Sequence, residues 1–350
     1  MVSIATKTTI ACLPVAGPQN PYQRLMIEGL NHEERLHAFS GIHDKFWGIG
    51  RTVLKHRPDY LHFDWIISYY FRRFSILTYL SVFTFCAQIF LTRLLGVKIV
   101  WTLHNIVPHD MTHQLAVHRF CQRFLARRCE WIRVFATSTI AEAAEELRIS
   151  DTRFRVVPEG DYTAVYPDTI TQEQARTYLN LPAQARIMLY LGLIKPYKGV
   201  LELVRHMKKL DTPNTFLLIA GKGMDSTYVE EIRNELIPSI MLVDRFIETD
   251  ELQYFFQAAD VVVLPFKKIE NSGSVIMAMG FAKPIIAPAA GAVTERLAGQ
   301  SQWLFSSADE LPEKITGLIN ATDQELKTIG KRNFGVLSNH RWEHFALLFS

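Results

Sequence analysis

The sequence predicts an α/β protein built from two Rossmann-like domains, with parallel sheets facing a central cleft. Three observations carry this reading. Short apolar runs of strand length alternate with helical stretches, and the alternation occurs twice along the chain. Between the two series, residues 158–182 are polar and contain Pro158, Pro167 and Pro182, the composition of an inter-domain linker. The chain has 350 residues, a length that suits two domains, and 48% of them are hydrophobic, enough for two cores. The expected division is an N-terminal domain over 1–165 and a C-terminal domain over 183–334. Residues 335–350 are expected to be helical and to pack back on the first domain through Trp342, His344, Phe345 and Phe349.

In the first series, Thr8–Leu13 reads as a strand, Pro14–Pro21 as a loop and Tyr22–Leu30 as a helix. A strand follows over Arg35–Phe39, a helix over Phe46–His56 and a strand over Asp59–Phe63, which ends in Asp64 and Trp65. Val97–Leu103 is a strong apolar strand ending in His104 and Asn105. A helix is expected over Met111–Glu130, then strands over Trp131–Thr137 and Arg153–Val157.

The second series opens with a strand at Arg186–Gly192 and a helix over Lys198–Lys209. Thr215–Ala220, Ile240–Val243 and Val261–Leu264 read as strands, separated by helices near Ser226–Leu236 and Asp250–Ala258. Val261–Leu264 is apolar throughout, the pattern of a strand buried on both faces. Asn271, Ser272, Gly273 and Ser274 then lead into a buried helix, which Lys283 and Pro284 end before a strand at Ile285–Ala287. In parallel α/β folds ligands bind beyond the carboxyl ends of the strands. A small-residue loop that opens a helix there presents free N–H groups and the positive end of a dipole. This loop is therefore expected to hold the diphosphate of a nucleotide-sugar. Ser and Asn are also the preferred helix caps, and both roles can hold together.

Composition excludes several classes. A net charge of +3 gives no case for nucleic-acid binding, which asks for a stronger and clustered positive charge. Four cysteines, Cys12, Cys86, Cys121 and Cys129, show no metal-ligand spacing and suit a reducing compartment. The N-terminal apolar run is short and reads as the first strand rather than a signal peptide. No internal repeat or low-complexity tract is visible.

Several stretches together are similar to a known family. They are Asn20-Pro21-Tyr22, His62-Phe63-Asp64-Trp65, the run from Thr102 to Asp110 (TLHNIVPHD), the run from Gly192 to Gly199 (GLIKPYKG), and Asn271 to Ser274 with Lys283-Pro284 and Glu295. In this order, over nearly the whole chain, they resemble the GT-B glycosyltransferases of the family 4-like branch. Within it they look like the bacterial exopolysaccharide enzymes typified by the β-mannosyltransferase of xanthan assembly. The resemblance implies the GT-B fold, a nucleoside-diphosphate-sugar donor (GDP-mannose or a UDP-sugar), a lipid-linked glycan acceptor and an inverting transfer that gives a β-linkage. Two departures stand out. Leu193 occupies the position of the family's usual arginine, and Met277 that of its ribose-binding glutamate.

The donor residues implied are Lys195, Lys198, Glu270, Asn271, Ser272, Gly273, Ser274 and Glu295. Two ammonium groups at Lys195 and Lys198 would neutralise a leaving nucleoside diphosphate without a metal. Cations at a helix start are disfavoured by the dipole, which argues against a merely solvated turn. Glu270 is placed to accept hydrogen bonds from sugar hydroxyls, and Glu295 to contact the nucleotide. No metal and no cofactor are implied, since no paired acidic motif sits in a suitable loop and the nucleotide-sugar is a substrate.

His104 ends a strand at the cleft, where the family's matching histidine touches the donor sugar; a satisfied core histidine is the alternative. An inverting transfer needs a general base, and Asp110 is the first candidate, with Asp64 and His109 next. Asp110 could equally cap the helix expected from Met111. Glu159 and Asp161 are better read as a turn at the domain joint.

Phe74–Thr92 carries no charge and is bracketed by Arg72, Arg73 and Arg93. Its length would span a bilayer, but a span here would separate strands of one sheet. A long helix packed on the sheet, its outer face meeting lipid, is the expectation. Arg119, Arg123 and Arg127 recur every four residues on the next helix and could face anionic headgroups. The protein is therefore expected to be cytoplasmic and attached peripherally to the inner face of the membrane. A sugar-nucleotide epimerase of the same fold, or a non-catalytic partner of an active transferase, are the alternatives.

Overall fold

The computed structural model describes residues 7–17, 20–72, 75–106, 114–210, 212–267 and 272–349. The chain forms two compact units, one of residues 1–160 with 340–350 and one of residues 161–339.

Among the described residues the first unit holds a six-stranded parallel sheet. Its strands are β1 (Thr8–Leu13), β2 (Leu36–Ser40), β3 (Tyr60–Phe63), β4 (Lys98–Thr102), β5 (Trp131–Val134) and β6 (Phe154–Val156). Their order is β2-β1-β3-β4-β5-β6. From β1 the chain crosses to β2 on one side and returns to β3 on the other. The carboxyl ends of β1 and β3 therefore form a topological switch point, where open parallel sheets bind ligands. Asp64 lies at that point, and its N–H donates to Leu13 O at 2.8 Å. The core beneath contains Trp101, Phe63, Tyr70 and Phe85. The helix expected from Met111 begins at Leu115 and ends at Ala126, and residues 107–113 lie outside the described residues. The strand expected to reach Thr137 stops at Val134, because Thr137–Thr139 turn into a short 3-10 helix.

The helix Ser75–Leu94 buries Phe85 and Ile89 in the core, yet also buries polar residues and exposes apolar ones. Thr78, Ser81, Thr84, Gln88 and Thr92 are buried, whereas Ile76, Leu80, Phe83, Phe90 and Leu94 are exposed. Except for Ser81, whose hydroxyl has no partner among the described residues, these inner polar groups are bonded to backbone. Thr84 and Thr92 hydroxyls donate to carbonyls of the preceding turn. Gln88 accepts from Gly50 N–H at 2.8 Å and donates to Phe46 O at 2.9 Å. The outer residues recur at helical spacing and form one apolar stripe. By length and composition alone this helix is apolar enough to cross a membrane.

The last segment, Trp342–Phe349, is a 3-10 helix packed on the helix Pro21–Asn31. Arg35 donates to Phe349 O at 3.0 Å, and Phe349 meets the Tyr60 ring edge-on.

Among its described residues the second unit holds another six-stranded parallel sheet. Its strands are β7 (Arg186–Leu191), β8 (Thr215–Ala220), β9 (Ile240–Val243), β10 (Val261–Val263), β11 (Ile285–Pro288) and β12 (Leu304–Phe305). The order β12-β11-β10-β7-β8-β9 puts the switch point between β7 and β10. Within the stretch expected as a linker, Gln172–Tyr178 forms a helix with a capping box between Thr171 and Gln174. Thr-x-x-Gln is the signal that marks this start. The helix expected from Lys198 begins at Val200 instead. Gly199 takes the left-handed conformation (φ 70°), and a side chain there would strike Pro265 O.

Candidate active site

In the first unit, β3 and β4 deliver Asp64 and His104 to the switch point. His104 Nε2 lies 3.0 Å from Asp64 Oδ1. The imidazole is fixed on its other sides by aromatic rings. Trp65 stacks on it at 4.5 Å, Tyr22 meets it edge-on at 5.1 Å, and Phe135 lies at 5.5 Å. A packed imidazole with one bonded nitrogen has a single orientation, which is what a proton-transfer group requires.

The charges beneath it are dry. Burial pushes the Asp64 carboxyl up, but His62, the hydrogen bond from His104 and the Arg133 guanidinium outweigh this and hold it below the ordinary carboxylate range. Burial pulls His62 down to about 4, so it is neutral at neutral pH. Its Nε2 lies 2.9 Å from Thr102 Oγ1. Arg133 is fully buried, donating to Val157 O at 2.7 Å and Tyr22 Oη at 2.9 Å. Its guanidinium also lies over the rings of Phe135 and Phe345. With Asp64 ionised, the 3.0 Å contact requires His104 to donate through Nε2–H. That leaves the lone pair on Nδ1. The pair is thus a buried carboxylate orienting a partly exposed imidazole, the arrangement of a general base with its positioning acid.

In the second unit, the loop after β7 and the loop after β10 meet at the other switch point. Lys267 N–H donates to Tyr197 O at 3.0 Å. Lys198 Nζ sits 3.6 Å over the Phe266 ring. Lys195 and Lys198 are both half-buried, on either side of Pro196 and Tyr197. Ser272 caps the helix Gly273–Gly280 by accepting from Val275 N–H. Ser274 Oγ donates to Leu191 O at 3.2 Å, which ties the start of this helix to the end of β7. A side chain at Gly273 would meet nothing within 4 Å among the described residues. Ammonium groups and a helix N-terminus are the kinds of group that bind an anion.

Other expected residues fall elsewhere. Glu295 is exposed on the short helix Gly291–Arg296 that follows β11. His109, Asp110, Glu270 and Asn271 lie outside the described residues. Asp64 is buried and meets His104 rather than open solvent. The arginine stripe does not present three bare cations. Arg119 and Arg123 both pair with Glu146, at 2.8 and 3.3 Å. Sequence reading assigned no role to Tyr22, His62 or Arg133. The signal for Arg133 was available, since it is a charge inside the apolar strand WIRV.

The glycosyl transferases group 1 family model matches residues 171–333. A GDP-mannose:glycolipid 4-beta-D-mannosyltransferase of Xanthomonas campestris pv. campestris is 31% identical over 246 residues, 68% of this chain. The match spans 63% of that relative's length. A lipopolysaccharide 1,2-N-acetylglucosaminetransferase of Salmonella typhimurium is 25% identical over 62% of this chain and 60% of its own. Among solved structures, sucrose-phosphate synthase from Thermosynechococcus elongatus aligns over 98% of this chain and 97% of its own, with TM-score 0.71 and 20% identity. Anabaena HepE in complex with UDP aligns over 98% of both chains, with TM-score 0.72 and 15% identity. These two likenesses bear on the fold, which is GT-B.

Proposed function

We infer that this chain, which belongs to the glycosyl transferases group 1 family, moves a sugar from a nucleoside-diphosphate sugar to a lipid-linked oligosaccharide in exopolysaccharide assembly, with inversion at the anomeric carbon. The observation that carries the reading is the His104–Asp64 pair at the switch point of the first unit. A scaffold has no use for an oriented base. The Xanthomonas relative is named for GDP-mannose, a glycolipid and a 4-β linkage, which supports GDP-mannose as donor and a β-linked product. A UDP-sugar is the other donor to test.

In this mechanism the second unit binds the donor. Lys195, Lys198 and the N–H groups at Gly273 and Ser274 hold the diphosphate and take up the charge that develops as it leaves. The first unit binds the acceptor. Its hydroxyl oxygen forms the new bond to the anomeric carbon while the bond to the diphosphate breaks. The hydroxyl proton passes to His104 Nδ1, and Asp64 stabilises the imidazolium that results. Asp64 never receives the proton.

The helix Ser75–Leu94 supports attachment to a membrane surface. Ile76 is 80% exposed, Phe83 72% and Leu94 72%. Burying one such side chain returns about 1.5–3 kcal/mol, so a stripe of five is ample for peripheral binding. Free cysteines at 12, 86, 121 and 129 suit the reducing cytoplasmic side.

The test is thermal melting against matched GDP and UDP series. A ligand at about 100 times its Kd stabilises by about 2.7 kcal/mol. A shift with one series supports the donor site and names its base; no shift with either removes the donor assignment.

A further inference from the structure

The helix Leu115–Ala126 turns two polar side chains inward, His118 and Gln122, which are 4% and 2% exposed. They stand one helical turn apart and share a face. Both line a pocket of about 120 Å³ whose wall also includes Asp64, Trp65, His104 and Asn105.

Their hydrogen-bonding states follow from their neighbours. Tyr70 Oη lies 2.6 Å from His118 Nδ1. Burial holds the Tyr70 phenol well above its ordinary value, so it keeps its proton and donates it to Nδ1. Burial also pulls His118 down to about 4, so at neutral pH the imidazole is neutral and its one proton is on Nε2. Gln122 donates through Nε2 to Ile106 O at 3.2 Å, which leaves Oε1 as an acceptor. His118 Nε2 and Gln122 Oε1 are both buried without a hydrogen-bond partner among the described residues. Two residues of the pocket's lining thus carry one bare donor and one bare acceptor on the same helix face. A hydroxyl group donates once and accepts, so its chemistry matches both.

We propose that this pocket is the acceptor-sugar subsite, and that His118 Nε2–H and Gln122 Oε1 bind one hydroxyl of the sugar seated beside His104. This deepens the transferase reading and rests on it. The volume, about four times the ~30 Å³ share of one water, takes the edge of a sugar ring. It is below the roughly 300 Å³ of pockets that enclose larger ligands. A site built to bond a hydroxyl rejects the analogue that lacks it, because its own polar groups are left bare.

The experiment is ligand-observed NMR binding of methyl glucosides and mannosides, with a set of single-deoxy analogues, which needs no transfer. Wild type is expected to bind at least one glycoside and to bind one deoxy analogue at least tenfold more weakly. Gln122→Met keeps the Tyr70–His118 pair. It is expected to bind the parent glycoside at least tenfold more weakly and to lose the preference over the deoxy analogue. Should Gln122→Met not fold, His118→Asn makes the same comparison. An unchanged preference in the variant, or no glycoside binding by wild type at millimolar concentrations, overturns the subsite; the pocket then holds water only. Nucleotide release from donor plus lipid acceptor, measured on the same wild-type preparation, separates the two readings. Release with an unchanged preference sinks the subsite alone. No release with a preference lost in Gln122→Met sinks the transferase reading and leaves a sugar-binding pocket.

Discussion

The Asp64 carboxylate is fully buried, and the His104 imidazole 3.0 Å away keeps 13% of its side chain exposed. In the proposed mechanism Asp64 fixes the tautomer and His104 handles the proton.

Asp64→Asn keeps the shape of the side chain and removes its charge. It is expected to lower kcat by up to about 10⁴-fold, the loss seen when the positioning carboxylate of a hydrolytic triad is neutralised. Donor affinity, which belongs to the second unit, stays within about twofold of wild type, a change of under ~0.5 kcal/mol. Steady-state kinetics with a separate donor-binding measurement checks the split. A raised donor Kd with unchanged kcat contradicts the assignment.

In the proposed mechanism Lys195 and Lys198 hold the diphosphate. The double change Lys195→Ala with Lys198→Ala is expected to leave unliganded melting close to wild type. The nucleotide-dependent shift, about 2.7 kcal/mol at 100 times Kd in wild type, should vanish. Wild-type affinity for the nucleoside diphosphate in this variant would remove the phosphate assignment.

Acid sensitivity follows from two neutral histidines. His62 and His118 both titrate near 4 in the folded chain, against ~6.5 when unfolded. Between these values the unfolded chain binds protons that the folded chain does not. Stability is therefore full above about pH 6.5 and falls as pH drops toward 4, by on the order of 3 kcal/mol for each histidine. Asp64 has a depressed folded value, so its contribution is lost only at still lower pH. Urea titrations at pH 7, 5.5 and 4.5 test this, and a flat profile would contradict it.

Phe83→Glu places a charge in the middle of the apolar stripe of the helix Ser75–Leu94. Since Phe83 is 72% exposed, the fold should tolerate the change. Co-sedimentation with vesicles of mixed neutral and anionic lipid should fall at least tenfold. Unchanged co-sedimentation would exclude this face as the contact.

Much of this was legible in the sequence because it depends on local pattern. The apolar runs at Thr8–Leu13 and Arg186–Leu191 became strands with the expected bounds or nearly so. The serine and glycine cluster at 272–274 caps a helix at a switch point. What escaped depends on tertiary burial. Nothing local says that Thr78, Thr84 and Gln88 face inward while Phe83 faces out, since either face has helical spacing. The pairing of Asp64 with His104 joins positions 40 residues apart on adjacent strands. The bare atoms of His118 and Gln122 appear only when their other bonds are counted. The arginine stripe had the right spacing and a different partner, because Glu146 arrives from another helix.

The most direct measurement is transfer itself. Purified protein is incubated with labelled GDP-mannose or UDP-glucose, with and without lipid-linked oligosaccharide, and the anomeric configuration of the product is read by NMR. The account predicts label in the lipid product, nucleotide release only when acceptor is present, a β-linkage, and loss of all three in His104→Ala. Release without acceptor, an α-linked product, or full transfer by His104→Ala would contradict it.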